Sequence, residues 1–325
     1  MEKRQIGKTG IFVNPVGLGC MGFSHAYGSP MEKDEAVKII RQAIEMGYDF
    51  LDTAECYTGI NPDGSTNYNE ELVGEAIKPY RDKVILATKF GVTHSPNGLI
   101  MDSSPDRIRS SLEGSLKRLG ADYVDIYYQH RPDPKVEPEV VAGVMKELIA
   151  SGKVKYWGIS ETDEEYLRRA NAVCPVTVIQ NRYSMIAREQ EKMFSVCKEL
   201  GITFVAYSPM ANGFLTGAYD KNSVFEKGID YRSNMPQYTE EGFKSREKLQ
   251  RLLKELAAKK NCTEAAISLA WMMCKEEIII PIPGSRKPER LAANFAAGNV
   301  LLTKEEIKEI DNLLDEMAVP VYGRR

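Results

Sequence analysis

The chain of 325 residues is predicted to be an α/β protein, a single (β/α)8 barrel of the TIM-barrel class that spans residues 1–325. Three observations support this. Short apolar runs of strand length alternate with amphipathic helical patterns, there are eight such runs, and no linker, low-complexity stretch or charge block divides the chain. Eight strand–helix units over this length favour a closed barrel over a doubly wound sheet.

The strands are predicted from their length and their content of β-branched and aromatic residues. They cover residues 16–19, 48–51, 84–88, 123–129, 154–159, 176–180, 202–207 and 278–282. Four helical patterns each end at a glycine, which accepts the left-handed conformation that a Cβ penalises. These glycines are Gly47, Gly120, Gly152 and Gly201, and a strand follows each within a few residues.

Two further elements and one asymmetry complete the predicted fold. Residues 5–13 are typical of a hairpin, which we expect at the amino-terminal mouth, the bottom of the barrel. Residues 303–317 predict an extra amphipathic helix at the C-terminus. The longer, more polar connections follow strands rather than helices. They span 20–33, 53–68, 90–104, 130–136 and 208–243. The carboxyl-end face of a barrel is where active sites are built, so these loops indicate the functional face.

Composition excludes several classes of protein. The net charge of −3 argues against nucleic-acid binding, which needs a concentrated basic surface. No apolar run approaches the ~18 residues of a membrane helix, and the polar N-terminus does not resemble a signal peptide, so a cytoplasmic location is expected. The six cysteines have no metal-like spacing and are expected to be reduced. The three histidines form no recognisable zinc motif.

One motif misleads. Residues 17–22 match G-x-G-x-x-G, the dinucleotide-binding pattern, after a plausible strand. That pattern must open a helix directly so that the backbone amides meet a pyrophosphate. Here residues 23–30 intervene before any helical pattern, so a tight glycine turn over the barrel mouth is expected, with Gly22 giving a ligand room.

Four polar residues follow or end the apolar runs of the predicted strands. Asp52, Lys89 and His130 lie at the ends of three runs, and Tyr57 lies five residues after Asp52. If the strands are parallel neighbours, their carboxyl ends bring these side chains to one rim. A carboxylate, an ammonium, an imidazole and a phenol together can deliver a proton to a carbonyl oxygen. We therefore expect a catalytic site there.

These residues sit in a set of strings that resembles the aldo-keto reductases. The strings are residues 47–57 around Asp52 and Tyr57, 87–90, 128–131, 158–160, 180–181, 207–209 and 281–286. Together they run in order from about residue 12 to about residue 298. The resemblance implies a (β/α)8 barrel that reduces aldehydes or ketones with a nicotinamide cofactor, usually NADPH. Two positions depart from the family pattern, Glu161 where Asn is common and Ala293 where an acid often precedes Asn294.

The resemblance implies a role for each of the four polar residues. Tyr57 is expected to donate the proton, and Lys89 to lower the pKa of the phenol. Asp52 is expected to hold the ammonium, and His130 to orient and polarise the carbonyl oxygen.

The resemblance also implies binding residues. Tyr207 is expected to stack on the nicotinamide, with Ser160, Gln180 and Asn181 bonding its carboxamide. Arg286 and Arg290 lie four residues apart near a helix start, which favours NADPH over NADH. The cofactor set is Gly22, Asp52, Ser160, Gln180, Asn181, Tyr207, Ser208, Pro209, Gly213, Gly284, Ser285, Arg286, Arg290 and Asn294. The substrate set is Met21, Phe23, Tyr57, Phe90, His130, Tyr183 and Met185, with His25, Tyr27 and residues 209–240 nearby. Its aromatic and methionine content indicates an apolar carbonyl compound.

Two other functions remain open from the sequence. One is an NADPH-binding redox sensor or channel-associated subunit with little turnover. The other is a barrel hydrolase that uses Asp52 and a second carboxylate, although Lys89 has no evident task in it. The expected partner is a small carbonyl compound, with no nucleic acid and no membrane. The residues do not indicate the physiological substrate, the favoured direction or the oligomeric state.

Overall fold

The computed structural model describes residues 2–95, 98–317 and 319–320. Eight parallel strands pair in chain order, each with the next. They are β1 Leu18–Gly19, β2 Phe50–Asp52, β3 Ile85–Phe90, β4 Val124–Gln129, β5 Val154–Ser160, β6 Val178–Arg182, β7 Thr203–Tyr207 and β8 Ile279–Pro281. Every predicted strand is present, and the (β/α)8 fold is confirmed.

The sheet closes where its last strand meets its first. Gly17 N–H donates to Pro281 O at 2.9 Å, and Gly19 N–H donates to Pro283 O at 3.2 Å. The chains approach so closely that a Cβ on Gly19 would lie 2.6 Å from Ile282 O, and one on Gly284 would lie 2.4 Å from Gly19 O. Part of the glycine pattern at residues 17–22 thus serves barrel closure. Its end, Met21–Phe23, forms a 3-10 helix rather than a glycine turn.

Helices surround the barrel and connect its strands. They are α1 Lys33–Met46, α2 Asn69–Ile77, α3 Pro105–Leu119, α4 Pro138–Ala150, α5 Glu164–Val173, α6 Phe194–Leu200, α7 Glu240–Lys260, α8 Glu264–Lys275, α9 Pro288–Ala296 and α10 Lys304–Glu316. Short 3-10 helices also occur at Lys78–Lys83, Glu189–Met193, Ala211–Thr216, Tyr231–Asn234, Pro236–Tyr238 and Ala297–Asn299. The predicted C-terminal helix is α10.

Three of the four predicted glycines end their helices. Gly47, Gly120 and Gly201 cap α1, α3 and α6 in the left-handed conformation, with φ of 116°, 60° and 70°. Gly152 lies one residue beyond the cap of α4, which is Ser151, and has φ 78°. The bounds of α2, α5, α7 and α8 were not predicted. Helix α7 begins inside the predicted loop 208–243, where the Thr239 hydroxyl accepts from Gly242 N–H.

The barrel interior is filled with apolar side chains, and its bottom is covered by the predicted hairpin. Strand Arg4–Gln5 pairs with strand Phe12–Val13, and the hairpin residue Ile6 packs against the interior residues. The interior set is Phe50, Ala87, Ile126, Tyr128, Val178, Val205, Ile280 and Ile282. Gly7 N–H donates to the Thr203 hydroxyl at 2.8 Å, at the first residue of β7. The hairpin therefore closes the amino-terminal mouth, as predicted.

Two β-hairpins rise from the opposite, carboxyl-end face. Thr58–Ile60 pairs with Thr66–Tyr68, and Val92–Ser95 pairs with Gly98–Met101. Both lie in segments predicted only as loops. All six cysteines are free thiols. Within the described ranges, no helix combines the length and apolarity needed to cross a lipid bilayer.

Candidate active site

The four predicted catalytic residues meet at the carboxyl ends of β2, β3 and β4. Asp52 is the last residue of β2, Lys89 lies one residue before the end of β3, and His130 directly follows β4. Tyr57 is in the loop after β2, and its hydroxyl contacts the Lys89 ammonium. The register of the parallel strands produces this juxtaposition, since Asp52 pairs with Ala87 and Lys89 pairs with Tyr128.

The Lys89 ammonium is at the centre of the group and is fully buried. It donates to Asp52 Oδ1 at 2.5 Å, to Thr53 O at 2.8 Å and to Tyr57 OH at 3.2 Å. A lysine ammonium has three N–H donors, so each has an oxygen partner. This arrangement compensates for removing the charge from water and fixes the ammonium beside the phenol.

Asp52 is held from both sides. Its Oδ2 accepts from Gln180 Nε2 at 2.7 Å, while its Oδ1 accepts from Lys89. Burial raises the pKa of the Asp52 carboxyl, and the Lys89 charge opposes this rise. Both oxygens of Asp52 and one amide donor of Gln180 are therefore used inside the protein. That Asp52 and Gln180 also contact a cofactor stays a prediction.

Burial raises the pKa of the Tyr57 phenol well above its usual value, and the nearby Asp52 carboxylate adds to the rise. The net shift of the Tyr57 pKa is therefore upward rather than the downward shift expected beside a cation, because desolvation and the carboxylate outweigh the nearby positive charge. The phenol is therefore protonated throughout the neutral pH range. The Lys89 ammonium still contacts the phenol oxygen. It therefore lies beside the atom that would become negatively charged if the phenol lost its proton.

His130 is neutral. Its imidazole is 8% exposed, and burial, followed by the charges of Lys89 and Arg131, holds its pKa well below the usual value. Its ring meets Tyr57 edge-on, with 5.6 Å between the centroids. Its Nδ1 lies 3.4 Å from Cys56 Sγ. Burial raises the pKa of the Cys56 thiol to about 12, so the thiol keeps its hydrogen and can donate a hydrogen bond to Nδ1.

His25 joins the loops above Tyr57. Its Nδ1 lies 2.7 Å from Thr58 O, and its Nε2 lies 2.8 Å from Tyr231 OH. Because a carbonyl only accepts, Nδ1 must carry the hydrogen. The His94 ring is 4.8 Å away, and the Tyr57 ring lies nearly parallel at 6.2 Å. One side chain thus connects both upper hairpins to the segment that follows β7.

The predicted nicotinamide residues lie beside this group, at the ends of β5, β6 and β7. The Ser160 hydroxyl accepts from Arg131 at 2.9 Å, and the Arg131 guanidinium carbon lies 5.8 Å from the Tyr207 ring centroid. Asn181 Nδ2 donates to Thr162 O at 3.2 Å and to Gln190 Oε1 at 3.0 Å. Its Oδ1 is buried and has no hydrogen-bond partner in the described chain.

Glu161, a departure from the family pattern, has a left-handed backbone with φ 57°. Its carboxylate accepts from Arg182 N–H at 2.8 Å. The Glu161 side chain therefore ties the loop after β5 to the end of β6. Strained backbone of this kind is concentrated at functional sites.

More left-handed backbone follows β7. Ser208, Ala211, Asn212 and Gly213 have φ of 50°, 48°, 61° and 96°. A Cβ on Gly213 would lie 2.8 Å from the Tyr219 ring, so the side-chain packing of this segment also demands glycine there. The segment lies where the resemblance places cofactor contacts and where Pro209 is buried.

The predicted phosphate-binding residues differ in their surroundings. Arg286 donates to Gly22 O at 2.5 Å and to Ser29 O at 2.8 Å, while its Nη2 is buried and has no partner among the described residues. The Ser285 hydroxyl accepts from Lys287 N–H at 3.1 Å. Arg290 is exposed and Asn294 is buried. Gly284 is required by the barrel closure whether or not it also contacts a cofactor.

Four predicted substrate contacts are wrong. Phe23, Phe90, Tyr183 and Met185 are at most 1% exposed and belong to the core between the sheet and the helices. Side chains alternate across a strand, so Phe90 faces the helices when its neighbour Lys89 faces the barrel. The Phe90 ring packs against Tyr127, and Tyr183 stacks on Trp271. Tyr57 and His130 lie in the group around Lys89, and Met21, partly exposed in the 3-10 helix after β1, stays a predicted substrate contact.

Sequence reasoning missed several residues of the site, which are Thr53, Cys56, Asn69 and Arg131. Cys56 and Arg131 adjoin predicted catalytic residues, so proximity along the chain was an available signal. Asn69, by contrast, is buried at the start of α2, and nothing in its local pattern sets it apart.

Comparison with known proteins agrees with this geometry. Residues 15–315 match the model of the aldo/keto reductase family. The chain is 36% identical over 312 residues to "Probable aldo-keto reductase 1" of Glycine max, covering 94% of this chain and 87% of that protein.

Two solved structures are also similar. The glycerol dehydrogenase of Gluconobacter oxydans superposes with a TM-score of 0.86 at 26% identity, covering 99% of this chain and 98% of that one. The holo form of an aldo-keto reductase of Bacillus halodurans superposes with a TM-score of 0.76 at 27% identity, covering 100% and 99%. The chain therefore belongs to the aldo/keto reductase family, whose members are oxidoreductases of carbonyl compounds that use a nicotinamide cofactor.

Proposed function

We propose that this protein reduces an aldehyde or a ketone to an alcohol with NADPH, and that Tyr57 supplies the proton. One observation carries the proposal. The buried Lys89 ammonium donates at once to the Asp52 carboxylate and to the Tyr57 hydroxyl. An ion pair that also contacts a phenol at the functional face of a barrel suits proton transfer better than it suits hydrolysis, which has no use for the ammonium.

The residues present fit a nicotinamide cofactor at two places. Asn181 Oδ1 is a buried acceptor without a partner, which suits the amide hydrogens of a carboxamide. Arg286 Nη2 is a buried donor without a partner, which suits a phosphate oxygen. When bound, NADPH would supply a hydride to the carbonyl carbon.

The residues expected to bind NADPH form three groups. Ser160, Gln180, Asn181 and Tyr207 would hold the nicotinamide end, with Asp52 beside them, and Ser208, Pro209 and Gly213 would hold the middle. Gly22, Gly284, Ser285, Arg286, Arg290 and Asn294 would hold the adenine end. The two arginines favour NADPH over NADH because a 2′-phosphate carries the added negative charge.

The chain's own groups provide the proton. The raised pKa keeps the Tyr57 phenol protonated at neutral pH, so a proton is available when negative charge builds on the carbonyl oxygen. Lys89 would stabilise the phenolate that remains, and neutral His130 would donate a hydrogen bond to the same carbonyl oxygen. The thiol of Cys56, by donating to Nδ1, would leave Nε2 as the imidazole donor.

Turnover of NADPH with 4-nitrobenzaldehyde tests the proposal, followed through loss of the near-ultraviolet absorbance of the reduced nicotinamide. Tyr57→Phe removes only the hydroxyl and should lower kcat by about 10²–10⁴-fold, the usual contribution of a positioned acid. Its dissociation constant for NADPH, measured by cofactor fluorescence, should be unchanged. A variant as active as the wild type would overturn the role of the phenol. Tight NADPH binding without turnover over a broad carbonyl panel would favour the redox sensor.

A further inference from the structure

We propose that Asn69 is a positioning residue that sets Lys89 and Tyr57 relative to each other. The inference rests on the proposed function, in which those two side chains cooperate in proton transfer. Asn69 touches neither the ammonium nor the phenol. It acts through the backbone and side chains of the residues that hold them.

The Asn69 amide is fully engaged. The residue is 1% exposed and is the first residue of α2. Its Oδ1 accepts from the Thr53 hydroxyl at 2.7 Å. Its Nδ2 donates to Cys20 O at 2.9 Å and to Ser24 Oγ at 2.8 Å. One acceptor and both donor hydrogens are thus used, and three segments of chain are tied to one side chain.

The first connection leads to Lys89. Asn69 holds the side chain of Thr53, whose carbonyl oxygen accepts from the Lys89 ammonium at 2.8 Å. Asn69 also holds the carbonyl of Cys20, whose N–H donates to Asp52 O at 2.8 Å. Two of the three residues that accept from the ammonium, Thr53 and Asp52, are therefore anchored through Asn69.

The second connection leads to Tyr57. Asn69 N–H donates to Tyr57 O at 3.0 Å. The Ser24 hydroxyl, which accepts from Asn69 Nδ2, donates to the same carbonyl at 3.1 Å. The main chain of Tyr57 is therefore fixed twice by groups that Asn69 supplies or orients. Tyr57 lies in a loop, so these contacts set where its hydroxyl stands over the barrel.

Loss of the Asn69 side chain should affect proton transfer rather than cofactor binding. A displacement of about 1 Å in a catalytic group can cost about 10²-fold in rate, and the distance from Lys89 Nζ to Tyr57 OH is already 3.2 Å. Asn69 lies on the β2 side of the site, whereas the residues expected to hold the nicotinamide lie at the ends of β5, β6 and β7. Loss of its side chain should therefore lower kcat and leave cofactor affinity unchanged.

Asn69→Ala tests the inference with two readouts. We expect kcat for carbonyl reduction to fall by about tenfold, the equivalent of one lost buried hydrogen bond, while the Kd for NADPH stays within about twofold. The second readout needs no turnover. The Lys89 ammonium resonance, identified in ¹⁵N-lysine-labelled protein by its loss in Lys89→Arg, should shift or exchange faster in the variant.

Asn67→Ala is the matched control. Asn67 is also buried, at 6% exposure, and lies two residues away, but its amide donates to Asn61 within its own hairpin loop and to Met31 O in the loop before α1. It should leave kcat and the Lys89 resonance unchanged. If Asn69→Ala does not fold, two milder variants replace it. Asn69→Asp keeps the acceptor for Thr53 and loses both donors, and Thr53→Val removes only the hydroxyl. Either variant should lower kcat and shift the Lys89 resonance if the inference is right, and neither should if it is wrong.

The outcomes separate this inference from the proposed function. An active Asn69→Ala variant with an unshifted resonance overturns the inference and leaves the proposed function standing. A wild type without carbonyl turnover overturns the proposed function, and the resonance then decides whether Asn69 sets the Lys89 environment.

Discussion

At the scale of single residues, the site depends on one buried ion pair, Lys89 with Asp52. Neither side chain has another oppositely charged partner among the described residues. Lys89 and Asp52 are 0% and 2% exposed, and each has hydrogen bonds beyond the pair. Such a pair adds little net stability over apolar side chains of similar volume, but removing one member leaves an unpaired charge in the interior. Activity and stability should therefore respond differently to single and double substitutions.

Lys89→Met should lower the free energy of unfolding by about 3–5 kcal/mol, because the Asp52 carboxylate would be left buried without its cation. Asp52→Asn in the same chain should restore part of that loss. Both variants should lack carbonyl reductase activity. Urea denaturation measures the stabilities, and the loss of NADPH absorbance measures the activities. A Lys89→Met variant as stable as the wild type would show that the pair is not desolvated as described.

Sequence patterns predicted the positions of the site residues better than their electrostatics. Asp52, Tyr57, Lys89 and His130 could be predicted to converge because strand ends converge in any parallel barrel. The sign of the Tyr57 pKa shift could not be predicted, because desolvation depends on side chains that are distant along the chain. The placement of Phe90, by contrast, was predictable, since adjacent strand residues face opposite layers and Lys89 faces the barrel.

At the scale of elements, the barrel closes by a close backbone approach between Gly19 in β1 and Gly284 after β8, and its functional face is built from loops. A Cβ on Gly284 would lie 2.4 Å from Gly19 O, which is backbone and cannot rotate away. On the upper face His25 connects two hairpins with the segment after β7 through Thr58, His94 and Tyr231. These hairpins were not predicted, because their strands are only three or four residues long, too short to show a clear periodic pattern.

Gly284→Ala should destabilise the protein by about 1–3 kcal/mol, the usual cost of overpacking, because the seam between β8 and β1 must open to admit the methyl group. Gly143→Ala is the matched control. Gly143 lies within α4, where a Cβ would meet nothing within 4 Å, so alanine there should stabilise by about 0.4–1 kcal/mol. Thermal unfolding followed by circular dichroism measures both. Equal effects would contradict the close approach at the seam.

At the scale of the whole molecule, the three histidines share one electrostatic property. Burial is the largest cause of a lowered pKa at His25, His94 and His130, and the shift is strongest at His130. A histidine with a lowered pKa in the folded state binds fewer protons than it does in the unfolded chain. The stability linked to it is therefore present above the unfolded pKa of ~6.5 and is lost as the pH falls below that value.

The melting temperature should therefore fall as the pH is lowered from about 7.5 to about 5.5, a window that begins above the ordinary histidine pKa. His130→Gln should show a smaller fall over the same window, because it no longer gains a proton on unfolding. Differential scanning calorimetry of both proteins at each pH measures the difference, which removes the contribution of carboxyl groups common to both. An identical pH dependence would contradict the neutral, buried imidazole.

The amino-acid sequence by itself determined the order of eight strands, the glycine-ended helices, the hairpin at the bottom and the strand ends that hold the predicted catalytic residues. These features follow from local periodicity and turn chemistry, which act within a few residues. Only the tertiary structure decided which aromatic side chains face the core, which direction each pKa moves, and that Asn69 joins Thr53, Cys20 and Ser24. Desolvation and hydrogen bonding between distant segments are properties of the folded interior, and no local pattern encodes them.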